Sequence, residues 1–336
     1  MIRRLTALLG LVAGVCAVAW LTALPLVGQS RAAAGASPKA ARWTPAKTSW
    51  GDPDLQGIWS YASITPLERP SAQAGREFLT TEEADALNND AAVRADRREK
   101  DPRADVEAAY NAFWWDRGKS TGRTSLIVDP ADGRLPPLTA EGERRRAEAA
   151  AFRRAHPADS YEDRPLQERC ITYHGIPPLP TGYNNNYQII QTPGYVTILD
   201  ENIHDARVIP LDGRAHLPSS IRHWNGDSRG RWDGTTLVVE TTNYSPKTAF
   251  RFPVAPETLR AVERFTRVAA DQIDYRYTIN DPTTYTRPWT VALPMTAIDG
   301  PIYEYACHEG NYGLAHVLAG ARAEDKAAGG SSRDQR

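Results

Sequence analysis

Three stretches of this 336-residue chain set histidine close to carboxylate and guanidinium groups. IHDARVIPLDGR holds His204, Asp205 and Arg207; RHWNGDSRGRW holds His223, Asp227, Arg229 and Arg231; YEYACHEGNYG holds Tyr305, Cys307, His308 and Glu309. Acid/base catalysis needs an imidazole, a carboxylate to orient it, and a donor that holds developing charge. On this pattern His204 is a general acid or base, Asp205 its orienter, and Arg207 or Arg229 the electrostatic stabiliser, with His308 and Glu309 as further catalytic candidates. Asn185 and Tyr187 from NNNYQII, together with His223, Arg229 and Tyr305, are candidate substrate-binding groups. A plainer assignment competes with this one: Asp205 and Asp227 bond loop backbone, the arginines pair on the surface, and the asparagines serve turn geometry.

Other chemistries have less support. No H-x-H or H-E-x-x-H occurs, so a metal held by His204, His223 and His308 would have to be assembled from three separate segments. No metal and no cofactor are therefore assigned, and a Gly-rich phosphate loop is absent. GDSRG around Ser228 has the letters of the G-x-S-x-G elbow but lies between β segments, where that motif requires a strand-to-helix turn.

The elements that must position these groups follow from composition and periodicity. Residues 1–35 read as a secretory leader, with Arg3 and Arg4 before an apolar run and small residues near 32–36; retention of the run as a membrane anchor is the alternative. Removing the leader takes Arg3, Arg4 and Arg31 from a formal charge of −1, leaving about −4, too balanced for nucleic acid to be the expected partner. Twenty-five prolines, 24 glycines, 9 tryptophans and 14 tyrosines favour a turn-rich β protein. After leader removal only Cys170 and Cys307 remain, so in an oxidising compartment they are expected to form a disulfide.

Along the chain, residues 36–52 read as a linker, 53–74 as a first strand region around Gly57-Ile58-Trp59, and 75–160 as a helical arm. Thr80 and Glu83 form a capping box, DVEAAYNAFWWDRG continues in helical style, TSLIVDP is a short strand, and Thr139 caps a second helix. Residues 161–310 alternate apolar and polar positions in YQIIQT, YVTILD, ARVIPL, TTLVVETTNY, LRAVERFTRV, QIDYRYTIN, TRPWTVALPM and PIYEYAC. These seven or eight closely spaced strands imply an antiparallel barrel or sandwich. Tyr275 and Tyr277 share one strand face, as do Tyr303 and Tyr305, which makes them core or cavity lining. Residues 311–336 read as a terminal helix and a polar tail.

Gly57-Ile58-Trp59 resembles the G-x-W start of lipocalins, in which the Trp packs over the closed end of the barrel. The blocks DLQGIWSYASITPLERP, FWWDRG with RTSLIVDPADGRLPPLT, IHDARVIPLDGR, GDSRGRWDGTTLVVETTNY, and VERFTRVAADQIDYRYTINDPTTYTRPWT with YEYACHEGNYG resemble a family of secreted bacterial proteins. That resemblance implies export but no particular chemistry. The expectation is a lipocalin-like antiparallel β-barrel with an N-terminal helical arm. It is exported to the periplasm or beyond, and acts without a cofactor as a lyase, isomerase or hydratase on a hydrophobic or aromatic small molecule. The alternatives are a ligand-binding barrel without turnover and a metal-dependent enzyme. The first two separate on one condition: catalysis requires a His and a carboxylate within hydrogen-bond reach in the same cavity.

Overall fold

The computed structural model describes residues 43–95, 115–173 and 175–329. Strand β1 (Gly57–Ser60) opens the sheet and β2 (Ile127–Asp129) follows from the arm. β3 (Asn186–Thr192) and β4 (Tyr195–Asp200) form the expected hairpin, and Gly194 supplies the positive φ of 79° that the turn needs. β5 (Ala206–Pro210), β6 (Asp227–Asp233) and β7 (Thr236–Thr242) come next, then the long hairpin of β8 (Arg260–Ala269) and β9 (Gln272–Asn280). β10 (Trp289–Ala292) and β11 (Met295–Ala297) complete the set. The hydrogen-bonded order is β5-β4-β3-β1-β11-β9-β8-β7-β6, with β10 paired to β9 and β2; every ladder is antiparallel. The outermost strands β5 and β6 lie side by side without a ladder, so the sheet curls into a nearly closed barrel.

Period-two alternation sends one face of each strand inward. Tyr187 and Ile189 of β3, Val196 and Ile198 of β4, Phe265 of β8, and Tyr275 and Tyr277 of β9 are all buried. Trp59 is buried on β1; its indole donates to the Leu55 carbonyl (2.9 Å), and the Arg267 guanidinium sits 5.1 Å from its ring centroid. Three inward positions carry acidic or basic side chains: Asp200, Arg207 and Glu263 are buried in phase with their apolar neighbours.

Both arm helices are capped, and the second docks through its cap. Helix α1 (Thr81–Ala95) has the expected capping box, with Thr80 N–H donating to Glu83 Oε2 (2.8 Å) and Glu83 N–H to Thr80 Oγ1 (3.2 Å). Helix α2 (Ala140–Ala155) is capped by Thr139, whose own N–H and hydroxyl donate to the carbonyls of Thr284 and Thr283. Gly142 is the one buried residue of α2, and a Cβ there would lie 2.5 Å from the Thr284 carbonyl oxygen. Helix propensity favours Ala over Gly by about 1 kcal/mol, but overpacking against backbone costs about 1–3 kcal/mol. Gly142→Ala is therefore expected to lower the urea midpoint; a raised midpoint would show that α2 can shift away from the barrel.

PIYEYAC is not a strand: residues 301–307 are irregular, and Tyr303 is 71% exposed. Their backbone groups bond a side chain and near neighbours in place of a ladder, with Tyr303 N–H donating to Glu201 Oε1 (3.2 Å) and Cys307 N–H to the Tyr305 carbonyl. Strand alternation therefore places neither Tyr303 nor Tyr305 in the core. Beyond this segment, α3 (Gly313–Ala327) forms where the terminal helix was expected. The leader, the first ten residues of DVEAAYNAFWWDRG, and the last residues of the tail lie outside the described residues; the remaining four of that stretch, residues 115–118, are irregular, and no described helix is long and apolar enough to cross a membrane.

Candidate active site

One end of the barrel, where β4 ends and β5 and β6 begin, carries the densest group of candidate residues. A short 3-10 turn, Asn202–His204, follows β4, and Ile203 (φ 59°) and His204 (φ 45°) both occupy left-handed backbone that non-glycine residues adopt at a cost. The turn breaks strand alternation, so that adjacent His204 and Asp205 face one concavity. Its volume is about 630 Å³, within the range of small-molecule sites, and Arg207, His223, Trp224, Asn225 and Asp227 also line it.

The pocket groups differ in how firmly they are held. Asp205 accepts a short hydrogen bond from the Asn225 side-chain amide, and burial pushes its carboxyl above the usual range against the opposing pull of Arg207. His204 is exposed, with Nδ1 3.2 Å from the Tyr305 carbonyl oxygen, and no bond joins its ring to Asp205. His223 is exposed at the rim. Asp227 is saturated: His216 Nδ1 (2.7 Å), Arg229 Nη1 (2.6 Å) and Leu217 N–H (3.1 Å) all reach it.

Behind the pocket wall, Arg207 turns into the barrel. It is 7% exposed, and its Nη1 and Nη2 bond the fully buried Glu263 at 2.5 and 3.1 Å. Tyr275 donates to the same carboxylate (2.8 Å). Burial opposes the charge on Arg207, but Glu263 outweighs it and holds the guanidinium pKa above its ordinary value. Next to this pair, Tyr187 and Asp200 are direct cross-strand partners. Burial raises the Asp200 carboxyl to about 8, and the carboxyl accepts from Tyr61 Oη (3.4 Å) and Asn202 N–H (3.1 Å). A buried carboxyl that titrates near neutrality is a recognised mark of functional sites.

The remaining candidates lie elsewhere. Asn185 closes a turn: it accepts from Thr181 N–H and donates to the Asp116 and Thr181 carbonyls. Arg229 bonds Asp227 and the carbonyls of Ser228 and Ala215, and Ser228 sits within β6 bonded to Thr241. His308 and Glu309 are exposed in a turn and do not line the pocket. The Cys170–Cys307 disulfide is present, with Cα atoms 5.7 Å apart, and Asn311 adds a bond to the Glu168 carbonyl (3.1 Å). Cys307 lines a second, larger groove of about 900 Å³ with Glu201, Tyr303 and Tyr305, so two of the substrate-binding candidates, Tyr305 and His223, face different concavities. Among the described residues, no three His, Cys, Asp or Glu side chains converge as a metal-holding group.

Sequence reading passed over Asp200, Glu263, Asn225 and the His216–Asp227 pair. For Asp200 and Glu263 the signal was present, because each is an acid at an inward position of an alternating strand. These features define an antiparallel β-barrel with a polar network in its core and a polar pocket at one end. Compared with family profiles, curated proteins and solved structures, the chain matches none of them.

Proposed function

We propose that this is an exported acid/base enzyme that works without a cofactor on a small molecule in the His204–Asp205 pocket, in the lyase, isomerase or hydratase class. The observation that carries this reading is the convergence of His204, Asp205 and His223 in one concavity whose carboxylate is pushed up by burial. A carboxylate shifted towards working pH serves as the proton carrier, since catalytic efficiency is greatest when pKa approaches pH. His204, exposed beside it, exchanges the proton with solvent. The ligand lies against Trp224 and Ile203, which suits an aromatic or partly apolar body, while its polar groups meet Asn225 and His223. The disulfide is compatible with export.

A panel of small aromatic and carbonyl compounds, screened by thermal shift, is expected to yield ligands whose stabilisation is lost in His204→Ala and Asp205→Asn. A ligand found this way should exchange its acidic hydrogen in D2O with the wild-type protein and not with Asp205→Asn. Stabilisation that survives both substitutions would move the site elsewhere. The second reading, a binding barrel without turnover, is favoured because His204 and Asp205 share the cavity without a bond between them. The His–carboxylate contact set as the condition for catalysis is therefore not met, and the acid/base reading has Asp205 carry the proton unassisted. The binding-barrel reading predicts the same thermal shifts with no exchange.

A further inference from the structure

Helix α2 docks on the barrel at one end only. Gly142, in its first turn, is its one buried residue and sits against Thr284. The same face continues through Arg145, Arg146, Ala149, Phe152 and Arg153, spaced three and four residues from one another. It stands off from the 246–257 segment across a groove of about 730 Å³. Apolar surface stays open on both walls: Phe152 is 55% exposed on the helix, and Phe250 and Val254 opposite it are half-buried.

The charges around the groove do not cancel. Four arginines and two glutamates border it, and both glutamates are already paired: Glu148 with Arg144 (2.6 Å) and Glu257 with Arg145 (3.3 Å). Arg146 is taken up by Glu143 (2.5 Å). That leaves Arg153 and Arg251. Arg251 donates to the Pro180 carbonyl (2.7 Å), Arg153 bonds no described side chain, and no described carboxylate pairs with either. Two guanidinium groups without a counter-charge therefore border one apolar groove.

We propose that this groove binds an apolar anion, a small aromatic or aliphatic molecule that ends in a carboxylate, with Arg153 and Arg251 supplying the counter-charge. Volume sets the scale, since the groove falls within the range of small-molecule sites. The open phenylalanine and valine surface takes the ligand body, because burying apolar area is what drives such binding. Sign and shape set the head group: amines and metal cations are repelled, whereas the planar guanidinium fork matches a carboxylate. The groove and the His204–Asp205 pocket share no lining residue, so this site stands apart from the acid/base reading and the two can fail separately.

The test is isothermal titration of the full chain with 1-naphthoate and with 1-naphthamide, its uncharged counterpart. Wild type is expected to bind naphthoate at one saturable site and naphthamide more weakly. Arg153→Met and Arg251→Met should each weaken naphthoate about threefold, and the double variant about tenfold, with naphthamide unaffected. Arg153→Met should leave Tm unchanged, because its side chain has no bond to lose within the described structure. Arg154→Met is the control: Arg154 stands in the same last turn of α2 but does not line the groove, so this variant should bind naphthoate as wild type does. Ala149→Trp, which adds an indole to the groove wall, should weaken both compounds. No saturable binding by wild type, equal affinity for the two compounds, undiminished naphthoate binding in the double variant, or an equal loss in Arg154→Met would overturn the site. Loss of naphthoate binding in Asp205→Asn would place the anion in the other pocket and overturn it too. Failure of D2O exchange with naphthoate binding intact would overturn the acid/base reading and leave this groove standing.

Discussion

Arg207→Met is expected to destabilise the protein by about 3–5 kcal/mol, read as a fall in the urea midpoint. The loss comes from what remains. Glu263 is fully buried, and without the guanidinium its carboxylate keeps only the Tyr275 hydroxyl among its observed donors. Glu263→Leu should cost a similar amount by stranding Arg207. The double variant Arg207→Met, Glu263→Leu should recover most of the loss, because replacing a whole buried pair by apolar side chains is often neutral or stabilising. Single-variant costs below about 1 kcal/mol, the range of solvated surface pairs, would show that water reaches the pair. If the double variant regains stability but loses ligand binding, the pair is retained for its position behind the pocket and not for its contribution to folding.

Stability should fall as pH rises from about 4 to about 8, and Asp200→Asn should flatten that fall. The sign follows from where the proton binds more tightly. Burial lifts the Asp200 carboxyl from an ordinary 3.8 to about 8, so between those values the folded protein holds a proton that the unfolded chain releases. The contribution is complete below about 4, declines through the window, and is spent once pH passes about 8. Its full size is on the order of 5 kcal/mol. Asp205 and Asp116, also raised by burial, act in the same direction. Glu83, Glu141 and Asp212, held near 2 by their arginine partners, contribute stability that is lost only as pH falls through the acid range, below this window. Chemical denaturation at pH 4, 7 and 9 decides the matter: Asp200→Asn should lie closest to wild type at pH 4 and exceed it most at pH 9. Parallel curves for the two proteins would mean that Asp200 is ionised in the fold.

Most of the barrel was legible from residue order because hairpins are local. Pro193 and Gly194 set one turn, the stretch from Ala269 to Asp271 set another, and alternation in QIDYRYTIN sent Tyr275 and Tyr277 inward as their period requires. PIYEYAC alternates as well and still forms no strand. Alternation only permits a ladder; here the tyrosyl segment is held by the disulfide and by Glu201. The pocket was half legible. His204, Asp205 and Arg207 are adjacent in sequence, but their side chains part, with Arg207 turning inward to Glu263 and Asp205 outward to Asn225.

The sequence by itself determined the class of fold, the caps of both arm helices and the cysteine pair, since each depends on neighbours in the chain or on simple counting. The tertiary structure alone decided which charges meet. Arg207 and Glu263 are 56 residues apart and come together because β5 and β8 curl around one core. The same curling buries Asp200 and raises its pKa. Desolvation depends on what surrounds a group in space, and the order of residues does not record that.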